Sequence, residues 1–291
     1  MGPQQFGGVW TEKKLDALER YLNAYLTIFT RNAKAARLTR HYVDAFAGSG
    51  LREVGETEGE QLQLGEIGEA LAYMDGSVRK VLSLEQDFHR YWFVEKSPAY
   101  AAALREMIEM DYPERAPRTH IEIGDANEFL LKWCARLGRM DRAVVFLDPY
   151  GMHVRWPTIE ALAASEKVDL WMLFPASSVI RMLPRQGPPH EAWTRRLNEL
   201  FGDETWKEEF YREGPPDLFG EQLTTQRLVT EESVANYLLC RLRSLFNGVV
   251  AEPLVLRNSR RSPLFMLVFA AGNPNAAPTA IRIAEHIIRN T

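Results

Sequence analysis

The sequence predicts an α/β fold: a single domain built on a doubly wound, mostly parallel sheet. Three observations predict it. Short apolar runs alternate with amphipathic helical stretches from residue 41 to residue 174. The first of those runs passes straight into the small residues Ala47-Gly48-Ser49-Gly50. Finally, a carboxylate closes each of four successive runs, at Asp44, Glu95, Asp125 and Asp148. A length of 291 residues, 46% of them hydrophobic, is enough for one large core.

Taken in order, residues 11–36 read as a long amphipathic helix, because Leu15, Leu18, Leu22, Tyr25, Ile28 and Phe29 recur at three- and four-residue steps. His41 to Phe46 suits a buried strand. Residues 51–66, rich in Glu, Gly and Gln, read as a solvated loop, with a helix from Gly65 to Met74 after it. Tyr91 to Glu95 is the second strand and Pro98 to Met110 a helix. Thr119 to Ile123, Ala143 to Leu147 and Val168 to Phe174 are the next three strands, separated by helices at 128–137 and 157–164. After this fifth strand, prolines 184, 188, 189, 215 and 216 break up the chain, and about 175–232 is expected to be a helical insertion rather than a second domain. The sheet resumes with Val249 to Leu256 and Pro263 to Ala270. A last helix, opened by Pro278, faces inward through Ile281, Ala284, Ile287 and Ile288.

Composition narrows the function classes. A formal charge of -4 argues against a general polyanion binder, whose footprint is strongly basic. No stretch reaches the length of a membrane helix, and the N-terminus lacks a secretory layout, so a cytoplasmic protein is expected. The two cysteines, Cys134 and Cys240, have no metal or redox spacing and read as buried free thiols. His153 and His190 have no clustered partners, so no metal site is expected.

The chemistry-bearing residues sit where right-handed crossovers place them, at the C-terminal ends of the strands. Asp44 followed by Phe46, Ala47, Gly48 and Gly50 lets a backbone loop pass beneath a nucleotide-like ligand, although the same glycines also suit an ordinary tight turn. No phosphate-loop Lys follows them. Glu95 is placed to accept hydrogen bonds from ribose hydroxyls, and Asp125, with Ala126 beside it, from an adenine amino group. Taken singly, each acid reads better as a helix N-cap or a solvated loop residue than as a ligand group; four in this order reverse that preference. Asp148-Pro149-Tyr150 ends the most apolar strand, where a proline turns a carbonyl toward the crevice and the tyrosine supplies a stacking face. Such a group can hold a planar, amino-bearing base; its plain alternative is an Asp-Pro turn.

The runs Tyr42 to Gly50, Phe146 to Gly151 and Val168 to Pro175, with Phe201-Gly202 before Trp206 and Phe269-Ala270 near the end, resemble the three-Cys-motif partner family (TcmP). The resemblance covers most of the chain. It implies a Rossmann-like fold of the class I methyltransferase type, with S-adenosylmethionine (SAM) as cofactor. On that implication Asp44 to Gly50 matches the SAM-binding loop, and Asp148 to Tyr150 the Asp-Pro-Pro-Tyr motif of amino-methyltransferases. There is one proline here where that motif has two, and Tyr150 stands one place early. The resemblance also implies a partner protein with a three-cysteine, iron-sulfur-type motif, and leaves open a non-catalytic, SAM- or nucleotide-binding partner subunit. Basic residues Arg31, Lys34, Arg37, Arg40 and His41, and Arg181, Arg185, Arg195 and Arg196 with Trp193, are placed to follow a nucleic-acid backbone near the cleft, or are simply solvated helix faces.

Overall fold

The computed structural model describes residues 9–47, 76–149, 151–185, 187–216, 223–258 and 260–291. The expected loop over 51–66, the expected helix over 65–74, and Gly48, Gly50 and Tyr150 lie outside the described residues.

Helix α1 (Val9–Arg31) buries Leu15, Leu18, Tyr21, Leu22, Tyr25, Leu26 and Phe29 along one face. It stops short of the expected residue 36. The Asn32 side chain accepts hydrogen bonds from the backbone N–H groups of Lys34 (3.0 Å) and Ala35 (3.3 Å), and so competes with another helical turn. Five parallel strands follow: β1 (Thr39–Asp44), β2 (Arg90–Glu95), β3 (Thr119–Ile123), β4 (Asp141–Leu147) and β5 (Val168–Phe174). They lie in the order β3-β2-β1-β4-β5. The helices between them are α2 (76–82 of the described residues), α3 (Pro98–Asp111), α4 (Ala126–Cys134) and α5 (Trp156–Ala164). Helix α4 starts two residues earlier than expected because Asp125 caps it, accepting from the Glu128 N–H at 3.0 Å.

The expected helical insertion is not all helical. After α6 (Ala176–Met182), α7 (Glu191–Phe201) and α8 (Trp206–Phe210) comes an antiparallel hairpin, β6 (Tyr211–Pro216) with β7 (Leu223–Arg227), and then α9 (Glu231–Arg243). Proline reads as a breaker in sequence, yet it is compatible with the end of a two-stranded ribbon, where no further ladder bond is required. The strand expected over 249–256 is in fact two pieces, β8 (Gly248–Val249) and β9 (Leu254–Arg257); Pro253, lacking an N–H, falls between them. Both pair antiparallel with β10 (Pro263–Ala271), which itself runs antiparallel to β5. Helix α10 (Ala277–Arg289) closes the chain, with Ala280, Ala284 and Ile287 buried. The architecture is therefore mixed α/β with a mostly parallel central sheet.

Register decides which face each side chain takes. Asp44 is aligned with Phe93 and Phe146, and Phe146 with Trp171. These residues share the face that α1 covers, where the Tyr21 ring meets Trp171 (centroids 5.5 Å apart) and Phe269 (4.7 Å). Central strand β5 is buried along its whole length, as a strand covered on both faces must be. The expectation of two buried thiols is corrected: Cys134 is half-buried and Cys240 exposed. On α9 the buried stripe runs through Val234, Tyr237, Leu238 and Leu242, and position 240 falls outside it. Among the described residues, no helix is long and apolar enough to cross a membrane.

Candidate functional site

Asp44 and Glu95 are the last residues of β1 and β2, Asp125 lies two residues past β3, and Asp148 directly follows β4. Since these four strands are adjacent and parallel, all four carboxylates stand on one rim of the sheet. The alternation of the pleat puts Asp44, Glu95 and Asp148 on the same face as α1.

Each acid has partners within the chain. Asp44 is almost fully buried, at 1% exposure. Its carboxylate accepts from Ser77 Oγ (2.8 Å) and from the Phe46 N–H (3.3 Å). Burial first, and then the charge of Asp148, pushes its pKa up to about 7. Glu95 is also buried, its pKa raised by desolvation, and its Oε1 accepts from the Ser97 N–H at 2.7 Å. Asp125, besides capping α4, lies 3.7 Å from the Arg155 guanidinium. It also borders a groove of about 420 Å³ under α4, on the sheet face opposite to α1, which runs past Trp92 and Trp133 to His41, Arg90 and Asp141 near the other ends of the strands, away from Asp44, Glu95 and Asp148. That volume falls within the range of small-molecule sites. The chain bends away from β1 through Phe46, half-buried, and Ala47, whose N–H donates to the Val94 carbonyl at 3.0 Å. Ala126 and Pro149 are both buried. Gly48, Gly50 and Tyr150, the remaining expected site residues, lie outside the described residues.

Asp148 is not simply open toward an acceptor. Lys14 of α1, itself 1% exposed, is ion-paired with Asp148 Oδ2. Lys14 was not foreseen, although its position held a signal. It falls in helical phase with Trp10, Ala17, Tyr21 and Tyr25, on the stripe that packs inward. Two further residues escaped sequence reasoning. Ser77 comes to Asp44 from α2. Asn127 (2% exposed) donates to the His153 carbonyl and accepts from the Arg155 N–H and the Thr158 hydroxyl, each at 2.9 Å, pinning the segment after β4 onto α4.

The basic residues divide. Arg31, Lys34 and Arg37 are exposed, but they precede β1 and therefore lie at the opposite edge of the sheet from the acids, not near the cleft. Arg40 is half-buried with its guanidinium 5.6 Å from the Phe29 ring centroid. His41 is buried, with Nε2 3.1 Å from Asp141 and Nδ1 accepting from Trp92 Nε1, at the end of the groove under α4. In the insertion, Arg181, Arg185, Arg195 and Arg196 are exposed, and Trp193 packs against His190. Among the described residues there is no group of three or more potential metal ligands.

No protein-family model matches the sequence, and no curated protein matches it. Solved structures are similar to it in fold. A Legionella pneumophila protein of the family DUF519 is 12% identical, over 95% of this chain and 91% of that one, with a TM-score of 0.44. The methyltransferase domain of bacterial CtHen1 is 11% identical, over 87% of this chain and 97% of that one, with a TM-score of 0.38. The glycopeptide N-methyltransferase MtfA in complex with SAM is 14% identical, over 86% of each chain, with a TM-score of 0.34. Likenesses at these identities concern fold alone.

Proposed function

We propose that this chain is a SAM-dependent methyltransferase acting on an amino group, with a nucleic-acid base as the acceptor class. The observation that carries the reading is the convergence of Asp44, Glu95, Asp125 and Asp148 on one rim of four adjacent parallel strands. The donor set fits the cofactor: Glu95 offers a buried carboxylate for ribose hydroxyls, Asp125 stands beside it past the end of β3, and Asp44 closes β1. When bound, SAM supplies a methyl group activated by its sulfonium. The chain's own part is positioning, worth on the order of 7–11 kcal/mol when two bound reactants are brought into line. Asp148 holds the acceptor's amino group, with Pro149 directly after it in the chain. The exposed arginines of the insertion, which follows β5 at the same rim, suit a phosphate backbone.

A second reading, a non-catalytic subunit that docks a three-cysteine partner of the kind the TcmP family implies, is favoured by one observation: Asp148 is already engaged by Lys14. Calorimetry with SAM and with NAD tests the cofactor. Micromolar binding of SAM, lost on Gly48→Arg, is the expected result, and a preference for NAD overturns it. Labelled SAM offered with RNA, DNA or protein separates the two readings. Transfer abolished by Asp148→Ala supports the enzyme, and labelling of no acceptor supports the docking subunit.

A further inference from the structure

Lys14 is a buried charge on a helix that otherwise packs by apolar side chains. An ammonium taken out of water costs several kcal/mol, and a Met or Leu at the same place would fill the volume at no such cost. Lys14 is 1% exposed on α1, and its partner lies 134 residues away, just past the end of β4. The Trp10 ring, one turn earlier on the same helix, has its centroid 5.3 Å from the ammonium and supplies a second cation-binding surface. Nothing in the packing of α1 requires a charge here, because Leu15, Leu18 and Leu22 already bury its stripe.

Among the described residues, two aspartates and one lysine meet here. Asp44 and Asp148 are carried by neighbouring strands on the same face, where the charge of Asp148 raises the Asp44 pKa and that of Lys14, acting from farther off than its contact with Asp148, lowers it. Lys14 touches Asp148, whereas Asp44 takes its hydrogen bonds from Ser77 of α2 and from the Phe46 N–H. Among the described residues, Tyr42 on β1, whose hydroxyl burial keeps protonated, is a further titratable neighbour of both aspartates, and Glu95 stands farther along the rim at the end of β2. Two like charges in one buried place do not both ionise freely, and the one in contact with a cation keeps its charge.

We propose that Lys14 is a positioning residue of the rim: it holds Asp148 as a fixed, ionised carboxylate and thereby assigns any proton shared between the two aspartates to Asp44. The assignment of charge does not depend on SAM. Its consequence, an Asp148 that remains a hydrogen-bond acceptor for an amine at neutral pH, rests on the methyltransferase reading. Asp44, at the end of β1 where that reading puts the cofactor, then becomes the group whose ionisation can respond to ligand binding.

The test is a carboxylate titration of the whole protein labelled with ¹³C at aspartate Cγ, followed by NMR from pH 4 to pH 9, with Asp44→Asn and Asp148→Asn to assign the two signals. In the wild type, the Asp44 signal is expected to titrate near neutrality, and the Asp148 signal to change only at lower pH than that of Asp44. Lys14→Met should raise the Asp148 midpoint by more than about one pH unit, and Lys14→Arg should restore it. An Asp148 that titrates at or above the Asp44 midpoint in the wild type overturns the proposal without any variant, so a Lys14→Met protein that fails to fold does not shelter it. A folded Lys14→Met protein with an unmoved Asp148 signal overturns it equally. Calorimetry with SAM is a separate measurement, so failure of the cofactor reading and failure of this one are told apart.

Discussion

Asn127 shows how much can rest on one side chain. It is the residue that joins α4 to the segment following Asp148-Pro149, and its amide satisfies three polar groups at once. Asn127→Leu keeps the approximate volume but strands the Arg155 N–H and the Thr158 hydroxyl. The expected loss is on the order of 2–4 kcal/mol in urea unfolding, since each buried group left without a partner costs about 1–3 kcal/mol. The same scale accounts for what could be read of the acids. Asp44, Glu95, Asp125 and Asp148 were legible because a polar residue closing an apolar run is a local pattern. Their partners were not, because Lys14 and Ser77 reach them from helices distant in sequence. Asp125 also does what an isolated reading of it suggests, and caps a helix.

Among the elements, α1 does the most to complete the rim. Its 23 residues span about 34 Å, enough to run from the acids past the opposite ends of the strands. Tyr21 anchors it midway, donating a 2.7 Å hydrogen bond to the buried Asp169 on β5. The amphipathic stripe of α1 was plain in sequence, yet its docking site was not, because any sheet face offers apolar area. Helix α7 provides a sharper test. Gly202 ends it with φ +86°, and a Cβ there would lie 2.2 Å from Trp156 Cδ1. Gly202→Ala therefore meets both a left-handed backbone and the side chain that begins α5. A loss of at least about 1–3 kcal/mol is expected by denaturant unfolding, larger than the fraction of a kcal/mol typical of a surface substitution.

At the scale of the whole molecule, buried acids set the pH dependence. Asp44 titrates at about 7 and Asp169 at about 6, both raised first by desolvation, against about 4 in an unfolded chain. Between those values the folded state binds protons that the unfolded state has released. The stability these acids contribute is thus complete below about pH 4 and is lost as pH rises through 6 and 7. His41, His89 and His120, whose pKa values burial lowers, act in the opposite sense as pH falls through their unfolded value near 6.5. The difference between wild type and Asp44→Asn isolates one term. From pH 6 to pH 8 the wild type should lose on the order of 1–2 kcal/mol more than the variant in urea unfolding. An equal slope in both proteins would mean that Asp44 does not titrate there.

The sequence by itself determined the alternation of strands and helices, the continuation of the sheet after the insertion, and the acids at the strand ends. Each of these is a pattern of burial or backbone chemistry within a dozen residues. Only the tertiary structure decided the antiparallel run of β10 against β5, the hairpin inside the insertion, the exposure of Cys240, and the removal of Arg31, Lys34 and Arg37 to the far edge of the sheet. It alone brought Lys14 to Asp148. The physical reason is one of range: periodicity tells which side of an element faces inward, whereas the neighbour it meets there is fixed by strand order and crossover direction across the whole chain.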